Sequence, residues 1–219
     1  MQNKITCLIF DFDGVIADTD LGRYKALKKI LLNYDSDLAN SISKKDIIGL
    51  STKGFLTQNS KKLGINQIDE IVRERHKLFF SNLSTYCLPY KDMKETIVYL
   101  SSKFDLAIVT TNTTENVNIA LEHLEILPLF KWIIGREKSE NEYFIKTYEK
   151  VPSIIDKRVE ECIVIEDSNI GINAATREGY FCIRFDPENI FEKGDANLKV
   201  SSYKELKEII MKNTHGNTQ

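Results

Sequence analysis

Cysteine is scarce in this chain and never clustered. Cys7, Cys87, Cys162 and Cys182 are spread over 219 residues with no Cys-x-x-Cys pair. That spacing argues against a zinc site or a disulfide framework. It favours buried free thiols in a reducing cytoplasm. Charge of one sign is lacking too: 30 basic residues face 32 acidic ones, for a formal net charge of −2. Such a balance gives no bulk attraction to nucleic acid or anionic membrane, although it leaves room for a local basic patch. Long apolar runs are missing, and none approaches the roughly 20 residues of a membrane helix. The N-terminal apolar run meets aspartates where a signal peptide would carry a small-residue cleavage site. The expectation is a cytoplasmic protein without nucleic-acid or membrane partners. Internal repeats and low-complexity tracts are not evident.

What the chain does have is a rhythm of short apolar runs. They fall at Ile5–Phe10, Leu106–Thr110, Trp132–Ile134, Cys162–Ile165 and Phe181–Arg184. Each is too short for a helix and rich in β-branched or aromatic residues. Continuous apolarity without alternation suits strands covered on both faces. Between most of them lie helical spacings. One segment places Met93, Ile97, Val98 and Leu100 on one face. A second does so with Val117, Ala120, Leu121 and Leu124. A third starts at a capping-type Ser168 and stops at Gly179. Strand–helix alternation predicts a doubly wound α/β parallel sheet. Residues 18–87 break the rhythm with helical patterns alone, including "GRYKALKKILLNY" and "DEIVRERHKLFFSNL". The block is too long for a loop. It reads as a helical module inserted into a core formed by residues 1–17 and 88–219.

Chemistry-bearing residues stand where these strands end. After the first come Asp11, Asp13 and Gly14; after "LAIV" come Thr110, Thr111 and Asn112; after "CIVI" come Glu166, Asp167 and Ser168. After "WIIG" the first basic candidates are Arg136 and Lys138. In a doubly wound sheet, ligands sit outside the carboxyl ends of the strands. Oxygen ligands suit Mg²⁺, which commonly serves phosphate chemistry. One acidic pair would read as solvated loop acids. Two pairs at the ends of the two most apolar strands read as a site. Two-residue spacing puts Asp11 and Asp13 on the same side of an extended segment. Gly14 permits a sharp turn and close approach of a phosphate to backbone N–H groups. The histidines His76, His123 and His215 lie away from the strand ends.

The stretches "DFDGVIADT", "VTTN" and "VIEDSNIGINAATREG" resemble three motifs of the haloacid dehalogenase (HAD) superfamily. The resemblance runs from Ile5 to about Arg184. It is strongest for the β-phosphoglucomutase and phosphoglycolate phosphatase branch, whose helical cap is inserted after the first motif. It implies a Rossmann-like core and an Mg²⁺-dependent phosphatase acting on a small phosphorylated metabolite. Asp11 would be the nucleophile that forms an aspartyl-phosphate, and Asp13 the general acid and base. Dehalogenases of the superfamily lack an aspartate at the second position, so Asp13 favours phosphate esters over haloacids. Asp167 would hold Mg²⁺ together with Asp11 and the Asp13 carbonyl, and Glu166 would ligate directly or through water. Thr110 would bind a phosphoryl oxygen, with Thr111 and Asn112 nearby; the alternative is a simple helix N-cap, since Thr111, Asn112 and Thr113 could all cap the helix that follows.

The third motif departs from the family pattern, for "REKSENEYF" has no proline. Lys138 aligns best there, because Glu142 then stands where relatives carry an aspartate; Lys146 and Arg136 are alternatives. Lys53 and Lys77 fall where relatives place cationic substrate contacts. Arg23 replaces the histidine of the mutases, which argues against sugar-phosphate isomerisation. For all three the bland reading is surface charge on an amphipathic helix. Two further readings stay open: a phosphomutase that passes the phosphoryl group to a second hydroxyl, and a catalytically silent phospho-acceptor module. The substrate's carbon skeleton and the oligomeric state cannot be read from these residues.

Overall fold

The computed structural model describes residues 4–47, 50–136 and 148–215. Within them the chain forms two compact units, one of residues up to Ala17 together with those from Pro89 onward, the other Asp18–Leu88.

The first unit is a six-stranded sheet. Its strands are β1 (Cys7–Phe10), β2 (Asp105–Thr113), β3 (Trp132–Arg136), β4 (Cys162–Glu166), β5 (Phe181–Phe185) and β6 (Leu198–Val200). Their spatial order is β3-β2-β1-β4-β5-β6, and every neighbouring pair is parallel. Chain order runs outward from β1 in one direction and resumes on its other side at β4. The topological switch point therefore lies at the carboxyl ends of β1 and β4.

Burial explains the apolar runs. β1 and β4 are buried along their whole length, since both faces are covered. One face packs Cys7, Ile9, Val109, Val164 and Cys182 against Val151, Ile155, Ile172 and Ala175. Val151 and Ile155 lie on α8 (Val151–Ile155), while Ile172 and Ala175 belong to α9 (Asn169–Arg177). On β5 the ring of Phe185 meets Tyr203 of α10 (Tyr203–His215) at a tilt, with ring centres 5.1 Å apart. The buried Tyr203 hydroxyl also donates to the Val15 carbonyl at 2.8 Å, which ties α10 to the turn after β1. All four cysteines are free and buried.

In α6 (Met93–Ser101), Met93, Thr96, Ile97 and Leu100 turn inward while Val98 is 49% exposed. The inward stripe follows i, i+3, i+4 and i+7, and position 98 lies off it. The short strand β6 was absent from the apolar pattern because Leu-Lys-Val offers too little of it.

The second unit is helical: α1 (Thr19–Leu31), α2 (Ser36–Ser41), α3 (Thr52–Asn59), α4 (Ile65–Ser81) and α5 (Leu83–Tyr86). It has its own core, in which Leu27, Leu31, Phe55, Leu56, Ile68 and Ile71 meet. Asp18 starts α1 by accepting from the Leu21 N–H at 3.0 Å and pairs with Lys44 at 3.0 Å. Those bonds hold and cap the chain at the entry to the helix. Among the described residues, no helix is long and apolar enough to cross a membrane.

Candidate active site

The site begins where β1 runs out. The Asp11 N–H still donates to the Ile165 carbonyl at 2.9 Å, so the sheet fixes the residue's main chain. The residue is 6% exposed, and its carboxylate accepts the Phe12 N–H at 2.6 Å. Phe12 turns into the core, and the chain then reverses. Gly14 takes φ = +76° and donates to the Ala17 carbonyl at 3.0 Å. A Cβ at Gly14 would lie 2.2 Å from Asp167 Oδ2, so only glycine lets this turn pass so close to that carboxylate.

β4 delivers the matching acids. Glu166 is wholly buried, and its Oε2 accepts the Ser168 N–H at 2.8 Å and the Ser168 hydroxyl at 3.1 Å. Ser168 caps α9 by accepting the Gly171 N–H at 3.1 Å. A buried carboxylate at a helix N-terminus is stabilised by the N–H groups and dipole there. Carboxylate oxygens of Asp11, Glu166 and Asp167 lie within 4.8 Å of one another. Three acids so close, two of them buried, repel unless a cation sits between them. An all-oxygen donor set fits a hard divalent ion such as Mg²⁺.

β2 supplies the third edge. Its pairing with β3 shifts register between Val109 and Thr113, a bulge of the kind that re-aims side chains beside sites. Thr110 is fully buried, and its Oγ1 accepts the Asn112 N–H at 3.2 Å. The residue that caps α7 (Thr114–His123) is Thr113, not Thr110, through the Asn116 N–H at 3.3 Å. Thr110 is therefore free of the capping role. Asn112 Nδ2 donates to Asp13 Oδ2 at 3.3 Å, while its Oδ1 accepts from Thr113 and Asn116. The two aspartates thus have different company: Asp11 joins the acids of β4, and Asp13 joins the amide of β2. Thr111 is exposed.

Arg136 closes β3, in register with Thr113. Lys138, Lys146 and Glu142 lie outside the described residues. Arg23, Lys53 and Lys77 belong to the helical unit. Arg23 donates to Asp20 at 2.9 Å and to the Leu50 carbonyl at 2.5 Å. Lys53 pairs with Asp69 at 2.8 Å, and Lys77 is exposed on α4. One residue beside the site was not singled out from the sequence. The buried Arg184 of β5 donates to the Asp167 carbonyl at 2.7 Å. Its signal was a lone cation inside the apolar run "FCIRF".

Known proteins resemble this chain in sequence or in fold. A candidate phosphatase of Bacillus subtilis (strain 168), YhcW, is 27% identical over 190 residues, covering 82% of each chain. A structure described as a predicted phosphoglycolate phosphatase from Haemophilus somnus 129pt matches with a TM-score of 0.76 at 16% identity, over 96% of this chain and 100% of that one. A structure of YfnB from Bacillus subtilis, described as a candidate HAD-hydrolase bound to magnesium, matches with a TM-score of 0.66 at 16% identity, over 95% and 99%. At such identities the structures speak for the fold. The profile of the family described as "Haloacid dehalogenase-like hydrolase" matches residues 8–185, from the apolar run before Asp11 to the end of β5. With the parallel sheet and the acids at its switch point, that match makes this chain an enzyme of the haloacid dehalogenase-like hydrolase family.

Proposed function

We propose that this enzyme is an Mg²⁺-dependent phosphatase that hydrolyses a small phosphate monoester through an aspartyl-phosphate. The observation that carries this reading is the convergence of Asp11, Glu166 and Asp167 within 4.8 Å, with Asp13 standing apart on Asn112. Asp11, Asp167 and Glu166 would hold the ion, and the main chain at Asp13 would complete that edge. When bound, Mg²⁺ supplies charge that offsets repulsion between a carboxylate and a phosphoryl group.

The rest is the work of the chain. Asp11 attacks phosphorus as the bond from phosphorus to the ester oxygen breaks. Asp13 gives its proton to that leaving oxygen. It then takes a proton from water as the water oxygen attacks phosphorus. The bond to Asp11 breaks, inorganic phosphate departs and both carboxyl groups return to their starting states. The buried Thr110 hydroxyl and the Gly14 turn face phosphoryl oxygens. A basic residue of the third motif, Lys138 by alignment with Lys146 and Arg136 as alternatives, would supply a cation to the same oxygens. Substrate choice would fall to residues of the helical unit, with Arg23, Lys53 and Lys77 as its candidates. YhcW and the Haemophilus somnus structure carry phosphatase descriptions, which support this reading. The YfnB structure bound to magnesium supports the choice of ion.

The test is phosphate release from a generic aryl phosphate, followed by a panel of phosphorylated metabolites. Activity is expected with Mg²⁺ and lost with EDTA. Asp11→Asn should lower it by at least about 10³-fold, as removal of an attacking group does. Full activity in that variant would remove Asp11 from the nucleophile's role. Return of an isomer without released phosphate would establish a mutase instead.

A further inference from the structure

Strand β5 is apolar except at Arg184, whose residue surface is 1% exposed. A cation at that depth persists only where its donors are matched. Each guanidinium nitrogen has an acceptor. Nη1 donates to the Asp167 carbonyl at 2.7 Å, Nε to the Lys193 carbonyl at 3.2 Å, and Nη2 to Asn169 Oδ1. The guanidinium also lies 5.6 Å from the centre of the Phe191 ring, a cation–π distance. Those three acceptors are neutral, so the fork is used for geometry rather than for an ion pair. Two of them flank Ser168, in the turn that carries Asp167 into α9. The register partner of Arg184 on β4 is Glu166.

We infer that Arg184 is a positioning residue for the carboxylate cluster. It fixes the main chain of Asp167 and the first residue of α9, so that the Asp167 carboxylate meets those of Asp11 and Glu166. The inference rests on the metal-site reading above. The fork matters because its donors leave one plane in three directions. A lysine would keep the charge and lose that reach. The charge alone acts in the opposite sense, since a buried cation repels a divalent ion. Arg184→Lys therefore isolates the geometric part.

The experiment titrates Mg²⁺ alone into EDTA-stripped full-length protein by calorimetry, without substrate. It compares wild type, Arg184→Lys and Asn169→Ala, and the thermal unfolding of each metal-free protein reports its fold. Arg184→Lys is expected to weaken Mg²⁺ binding by about 10-fold or more, the effect of removing an outer partner of a metal ligand. Asn169→Ala, at an exposed position, should weaken it less and in the same direction without unfolding the chain. If Arg184→Lys does not fold, Asn169→Ala decides alone. Wild-type affinity in the folded variants overturns the positioning role and leaves the metal site standing. Failure of wild type to bind Mg²⁺ overturns both.

Discussion

Glu166 shows how closely single atoms are matched at this site. Its carboxylate is held by Ser168 and roofed by α9, and a Cβ on Gly171 would lie 1.7 Å from its Oε1. Alanine is favoured over glycine in a helix by about 1 kcal/mol. Here the collision wins, because Glu166 is fully buried and cannot swing away. Gly171→Ala should lose about 1–3 kcal/mol, the usual result of overpacking. Urea denaturation measures this, and wild-type stability would refute the close approach. The identity of Asp11, Asp13, Glu166 and Asp167 was legible because acids at the ends of apolar strands stand out. Their division of company was not, because sequence separation says nothing of the distance between residues 13 and 112.

Strand ends and the loops after them carry the next level of order. Asp186 follows β5 and is 3% exposed. It accepts the N–H groups of Ile190 at 3.1 Å and Phe191 at 2.8 Å, and pairs with Lys199 at 3.0 Å. Burial pushes its carboxyl up. The bonds from the Phe191 N–H, the Lys199 ammonium and the Ile190 N–H outweigh that and hold it below the ordinary carboxylate value. A carboxyl lowered on folding stabilises the native state above its unfolded value of about 3.9. That contribution is lost as pH falls through the lower folded value. Asp186→Asn should therefore cost about 1.5–3 kcal/mol at neutral pH, the range for hydrogen bonds to a charged group. The gap from wild type should close below about pH 4. Urea midpoints over a pH series test it, and parallel curves would contradict it. At this scale the strands β1 to β5 were readable from apolar runs. β6 was not, since three residues with a lysine in the middle acquire strand character only from pairing with β5.

Across the whole molecule, parallel pairing of β1 with both β2 and β4 gathers residues from three distant stretches. An ion held by acids from two of them binds the folded chain and not the unfolded one. Mg²⁺ at 100 times its dissociation constant should then raise the unfolding free energy by about 2.7 kcal/mol. A thermal scan with and without EDTA should show a shift of several degrees. Asp167→Asn should abolish most of that shift. An unchanged shift in this variant would place the ion elsewhere.

Residue types and their order by themselves determined the α/β class, the helical character of residues 18–87 and the acids that end β1 and β4. These follow from local rules: apolar period, caps, and charge placed against a buried run. Only the tertiary structure decided that Asp11 meets Glu166 and Asp167 while Asp13 meets Asn112. It alone decided that Arg184 holds the turn at Asp167. Each of these is a distance between residues remote in sequence. Such distances are set by strand order and register, which no local pattern encodes.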